Sequence, residues 1–248
     1  MPFIIYVTLI GLLSGVLGTM SGGFAVLFIR KIKDQFLCIV LGISAGIMTV
    51  IVFLDLIPEA QEVGTTFTSI LGLILGIGLI AFLDLKFPHH HFSLQKNGNA
   101  SYYKMGLLLS IGIALHNIPE GLAIGAGFIA SDSLGYSLSI LMALQNLPEG
   151  LAVATALGLS GMGGLKILGI TALAGVPMGI GAFIGAYLGT ISDNVLSISL
   201  GFAAGAMLYI VFDELIPDSH EKNEGHNAII GIIGGVLIGI MITTLLHH

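Results

Sequence analysis

Glu120 and Glu149 lie near the middle of two long apolar runs. At the centre of a spanning helix an ionised carboxylate costs about 2.5–3.5 kcal/mol on insertion scales, so each implies a partner. The sequence puts no Lys or Arg at comparable depth in any apolar run, which leaves protonation, water or a bound cation, and a cation fits best. Each glutamate follows a proline, Pro119 or Pro148, whose missing N–H and ring clash free carbonyls one turn earlier and are expected to open the helix at mid-depth. Residues three and four apart share a helix face, so His116 and Asn117 project with Glu120, and Gln145 and Asn146 with Glu149. Bringing the two helices together gathers His116, Glu120, Gln145 and Glu149 around one point, flanked by Asn117 and Asn146. Two carboxylates neutralise a dication, and an imidazole favours zinc, iron, cobalt or manganese over calcium or magnesium. An amide ligand without a thiolate implies the moderate affinity from which an ion can leave again. Asn117 and Asn146 either ligate or cap the freed carbonyls.

The elements that must position these residues are membrane helices. Apolar residues make up 55% of the 248, charged residues 9%, and mean hydropathy is +1.03, values outside the soluble globular range. Runs of roughly 20 apolar residues recur, and they predict eight spans over about 3–29, 35–57, 67–85, 103–130, 134–160, 165–189, 194–216 and 228–246. The fold class is all-α integral membrane, a single transmembrane domain over 1–248, because the longest break, about 86–102, cannot build its own core. The first run lacks a basic n-region and is too long for a signal h-region, so it is read as a helix. Cys38, the single cysteine, excludes an intrachain disulfide framework and is given no role.

Two duplications organise the spans. Residues 42–60 align without a gap on 201–219 with ten of nineteen positions identical, and 110–123 align on 139–152 with ten of fourteen. Matched Asn, Pro, Glu and Gly positions separate these from the chance likeness of apolar helices. Spans 2 and 7 run in opposite directions, as do spans 4 and 5, so the copies are inverted in a 3+2+3 arrangement, two three-helix units flanking a central pair. Glycines at four-residue spacing, among them Gly42/Gly46, Gly72/Gly76, Gly201/Gly205 and Gly231/Gly235, predict close helix packing.

The eight basic residues, Arg30, Lys31, Lys33, Lys86, Lys96, Lys104, Lys166 and Lys222, fall on one side of that topology. The positive-inside rule makes this side cytoplasmic, placing both termini outside a cell membrane that is crossed repeatedly. Net charge of −6 and an outer surface bearing Glu59, Glu62, Asp132 and Asp193 favour cations as partners and leave no surface for nucleic acid. Asp55 and Glu59 close span 2 at the outer mouth; Asp213, Glu214 and Asp218 close span 7 at the inner one. Met48 and Met207, matched in the repeat, line the path or simply pack. His220 and His226, with Glu221 and Glu224, could receive metal on the inner side. His89, His90 and His91 in the cytoplasmic break could bind metal loosely as a sensor or sink.

HNIPEG at 116–121 and QNLPEG at 145–150, in the fourth and fifth of eight helices with a His-bearing break before them, resemble the ZIP family of divalent-metal transporters over nearly the whole chain. FAAGAMLYIVFDELIPDSH at 202–220 is similar to the family's seventh helix. The resemblance implies import of zinc first, and of iron, manganese, cobalt or cadmium, into the cytoplasm with no prosthetic group. It implies a homodimer in which a helix group including spans 4 and 5 moves against a scaffold. His116, Glu120, Gln145 and Glu149 would form the principal metal site, with Asn117 and Asn146 in a neighbouring second site. Val176 stands before Pro177 where binuclear relatives carry a bridging Glu, so one well-occupied transport metal is expected. A metal-selective channel would also need buried carboxylates, and an intramembrane metalloenzyme would use a metal-bound water; the sequence has no HExxH pair.

Overall fold

The computed structural model describes residues 1–28, 34–86, 99–220 and 226–246. Eight helices in it are long and apolar enough to cross a membrane. They are α1 (Pro2–Phe28), α2 (Asp34–Val50, continued through a π-helical turn Ile51–Leu56 into Ile57–Val63) and α3 (Thr66–Lys86). Then come α4 (Asn99–Ala130), α5 (Asp132–Leu159), α6 (Gly164–Gly189), α7 (Asp193–Ile210, π Val211–Leu215, Ile216–His220) and α8 (Asn227–Leu246). There is no strand among the described residues.

Local chemistry sets the ends. Ser131 accepts from the Leu134 N–H at the start of α5, and Ser192 from the Val195 N–H at the start of α7, caps worth about 1 kcal/mol each. The turn between α5 and α6 passes through Gly161 at φ 84°, a left-handed conformation that a side chain disfavours.

Spans 2 and 7 are longer than expected. Proline would end each helix at Pro58 and Pro217, but α2 continues to Val63 and α7 to His220. A π-turn before each proline makes this possible: the Ile57 N–H donates to Val52 O and the Ile216 N–H to Val211 O, five residues back, so the chain steps past the residue that lacks a donor. Pro119, Pro148 and Pro177 lie inside helices α4, α5 and α6 that stay continuous, rather than being opened at mid-depth.

Glycine decides which helices touch most closely. A Cβ on Gly42 or Gly46 of α2 would strike Ala228 O or Ile232 O of α8, and one on Gly201 or Gly205 of α7 would strike Ser69 O or Leu73 O of α3. Shifting 42 to 201 also carries 69 to 228 and 73 to 232, so one contact set repeats the other residue for residue. The same shift relates Gly72 and Gly76 against Ile198 O and Phe202 O to Gly231 and Gly235 against Ile39 O and Ile43 O. In the remaining helices Gly150 of α5 meets Thr19 O of α1, while its mate Gly121 of α4 meets Met178 O of α6; Gly22 meets Leu147 O and Gly181 meets Ile118 O.

Two sets of helices result: α1, α4, α5 and α6 in backbone contact with one another, and the pairs α2–α8 and α3–α7. Tyr6, Phe128 and Tyr136 tie α1, α4 and α5 by edge-on rings and a 2.6 Å hydroxyl contact between the tyrosines. Between the sets the core is built of larger side chains, with Ile47, Met48 and Ile51 of α2, Leu138, Leu141 and Met142 of α5 and Leu200 and Met207 of α7 in one buried cluster. Leu9, Leu13 and Leu17 of α1, Ile70, Ile74 and Phe82 of α3 and Ile233 and Leu237 of α8 point outward, the surface expected where lipid is the solvent.

Candidate metal site

Helices α4 and α5 bring their two motifs face to face. Glu120 is 0% exposed and Glu149 4%, and His116, Asn117, Gln145 and Asn146 are buried with them. Gln145 Nε2 donates to Glu120 Oε1 at 2.6 Å, linking the helices at the level expected for a shared site. Beside it runs an amide chain: Asn146 Nδ2 donates to Asn117 Oδ1 at 3.0 Å, and Asn117 Nδ2 donates to Ala174 O of α6 at 2.9 Å. Ala174 lies next to Leu173, whose carbonyl Pro177 cannot reach, so Asn117 bonds α6 beside its proline. Asn146 Nδ2 also lies 3.9 Å from the Met178 sulfur.

The amide N–H groups of Gln145, Asn117 and Asn146 all have acceptors, and what is left over is oxygen. Glu120 Oε2, Glu149 Oε2, Gln145 Oε1 and Asn146 Oδ1 are buried without a hydrogen-bond partner. Four unpartnered acceptors in a low-dielectric interior each carry a penalty of lost hydration that a cation there would relieve. Among the described residues no three His, Cys, Asp or Glu side chains are drawn together as a ligand set, so a shell at this point would have to draw on the amide oxygens as well.

His116 Nε2 lies 3.2 Å from Glu214 Oε1 of α7, a contact that crosses from one helix set to the other. By sequence Glu214 belongs at the inner mouth, whereas the structure brings it to the histidine of the site. Ser44 of α2 is a residue that sequence reasoning missed: its hydroxyl donates to Gln145 O at 3.2 Å, again across the sets. A buried hydroxyl on an apolar helix face was the signal available for it.

Several other candidates fall elsewhere. Asp55 does not end a helix; it sits in the π-turn of α2, 2% exposed, and its Oδ2 accepts from Thr243 Oγ1 of α8 at 3.2 Å. Glu59, Asp213 and Asp218 are part-exposed. Met48 and Met207 are fully buried in the core cluster. His220 is exposed, with Nδ1 2.9 Å from Ile216 O, and three turns earlier on α7 Tyr209 donates to Asp84 Oδ2 at 3.3 Å. Val176 is 36% exposed and faces away from the amide chain's side of α6. His89, His90 and His91, and Glu221 and Glu224, lie outside the described residues.

The model of the ZIP zinc transporter family matches residues 84–246. A zinc transporter ZupT of Chlorobium limicola is 34% identical over 255 residues, covering 95% of this chain and 95% of its own length. That of Chlorobium chlorochromatii is 32% identical over 243 residues, with 90% and 91% covered, and that of Streptococcus mutans 32% identical over 246, with 92% and 93% covered.

Proposed function

This chain belongs to the ZIP zinc transporter family, and on that footing we propose that it carries divalent transition-metal ions, zinc first, across the cell membrane into the cytoplasm. Membership in a transporter family leaves the intramembrane metalloenzyme without support. The observation that carries the reading is the set of four buried acceptor oxygens of Glu120, Glu149, Gln145 and Asn146 left without donors. With His116 they supply a mixed oxygen and nitrogen shell that suits zinc, iron, manganese, cobalt or cadmium. The hydrogen bonds Asn146–Asn117–Ala174, with Val176 in place of a bridging Glu, support one well-occupied ion.

Alternating access moves α1, α4, α5 and α6 as a body, elevator fashion, against α2, α3, α7 and α8. Backbone-tight glycine contacts inside each set, and larger side chains between them, support such a division. Reciprocal contacts at a fixed residue shift support the inverted 3+2+3 plan. Both termini lie outside and the working unit is a homodimer, as the topology and the family resemblance imply.

Uptake of radiolabelled zinc by vesicles holding the purified chain, with manganese, iron, cobalt and cadmium as competitors and with and without a pH gradient, tests this reading. Saturable uptake blocked by competing dications is expected. A steady current without saturation would favour a channel, and no metal-dependent flux would overturn the reading.

A further inference from the structure

The two alignments that repeat the helix contacts also pair residues at the site. His116 matches Gln145, because 110–123 align on 139–152, and Glu214 matches Asp55, because 201–219 align on 42–60. Asp55 and Glu214 both sit inside π-turns, three residues before Pro58 and Pro217. The helices obey the same exchange, α4 with α5, α7 with α2, α6 with α1 and α3 with α8. Inside each set the glycine contacts repeat, as at Gly42·Ala228 and Gly201·Ser69, or Gly121·Met178 and Gly150·Thr19.

Across the sets it fails. His116 meets Glu214 at 3.2 Å, yet the matched amide of Gln145 is turned to Glu120 and the matched carboxylate of Asp55 takes the Thr243 hydroxyl. When two matched halves share their backbone packing internally but meet each other unequally, the arrangement with the unequal faces traded keeps the same backbone packing, and the two can exchange as a two-state pair.

We propose that Asp55 is the partner of the carried site in the oppositely facing state, accepting from Gln145 there as Glu214 meets His116 here. This rests on the transport reading above. In that state α5 slides along α2 from the level of Ser44 to the π-turn, about 16 Å of helix, part of it bridged by the two side chains. Asp55 exchanges Thr243 for Gln145, and His116 leaves Glu214. Turning the Gln145 amide from Glu120 to Asp55 also bares Glu120 Oε1, so the site offers one more open carboxylate oxygen when it faces the outside than when it faces the cytoplasm. Asp55 is thus a positioning residue, acting on the metal through Gln145 and Glu120.

Cross-linking in reconstituted full-length chain on a Cys38→Ser background tests this. Helices α2 and α5 are antiparallel, so Asp55→Cys with Gln145→Cys, and Glu59→Cys with Leu141→Cys one turn further on, report the same juxtaposition; the second pair keeps Asp55 and Gln145 in place. Ser44→Cys with Gln145→Cys reports the arrangement described here and verifies folding. After copper-phenanthroline oxidation, thiols are counted in denaturant with a mass-tagged maleimide. Loss of labelling in either test pair as well as in the Ser44 pair is expected. Closure of the Ser44 pair with full labelling in both test pairs would overturn the assignment of Asp55. Zinc uptake by wild-type vesicles, measured alongside, keeps the two failures apart, since absent cross-links with intact uptake remove the Asp55 assignment alone.

Discussion

His116 Nε2 of α4 stands 3.2 Å from Glu214 Oε1 of α7, so the imidazole of the candidate metal site is tied to a carboxylate of the other helix set. A metal-ligating imidazole commonly keeps its other ring nitrogen on a carboxylate, which orients the ring and raises its basicity. Glu214→Gln keeps the shape and removes the charge. The expected outcome is a fall of about tenfold in the initial rate of vesicle zinc uptake, equivalent to about 1.4 kcal/mol. The double variant His116→Ala/Glu214→Gln should lose less than the two single losses summed, because the residues act as one contact. Additive losses would separate them.

Gln145 holds Glu120 in place by a 2.6 Å bond while its own Oε1 has no donor. Gln145→Ala removes both a prospective ligand and the orienting N–H. Zinc affinity measured by titration calorimetry on the purified chain should drop roughly 10- to 100-fold, the range seen when outer-shell partners of metal ligands are lost. Unchanged affinity would place Gln145 outside the metal's surroundings.

Glycine contacts can be tested by stability, apart from transport. A Cβ at Gly150 would press on the Thr19 backbone, whereas one at Gly78 would meet nothing within 4 Å. Gly150→Ala should therefore lower the thermal unfolding midpoint in detergent, by overpacking that costs typically 1–3 kcal/mol. Gly78→Ala should leave it unchanged or raise it, since alanine is about 1 kcal/mol the better helix former. Equal midpoints for the two variants would contradict the close packing of α5 on α1.

Much of this arrangement was legible in the sequence. Eight apolar runs marked eight helices, and the matched HNIPEG and QNLPEG segments marked the two that face each other, because burial of charge among apolar residues is a local signal. Helix ends at Pro58 and Pro217 were not legible: a proline reads as a stop, and the i→i−5 bonds of Ile57 and Ile216 that step past it show up only in three dimensions. Glu214 reads as a mouth residue by its place near the end of a span, and its approach to His116 depends on how α7 packs on α4. The four-residue glycine spacing announced close contacts without saying which helix would fill each one.

The π-turn of α7 aims Glu214. Pro217→Ala restores a donor and lets Val211–Leu215 relax toward ordinary α-helix, in which removing one residue's worth of offset rotates the two flanking segments of α7 relative to each other by about 100°. The variant should insert and elute as wild type but transport zinc several-fold more slowly, and cysteines at positions 116 and 214 should cross-link less readily in it than in the parent. Full transport with unaltered cross-linking would mean that the turn has no part in placing the carboxylate.

Glu120 and Glu149, both buried where α4 meets α5, are the groups proposed to hold the transported dication. Zinc binding and vesicle uptake by Glu120→Gln/Glu149→Gln, which keeps size and hydrogen-bonding shape while removing both charges, test this most directly. Loss of both, in a chain that still elutes as a folded species, is the predicted result; tight zinc binding and uptake at the wild-type rate would contradict it.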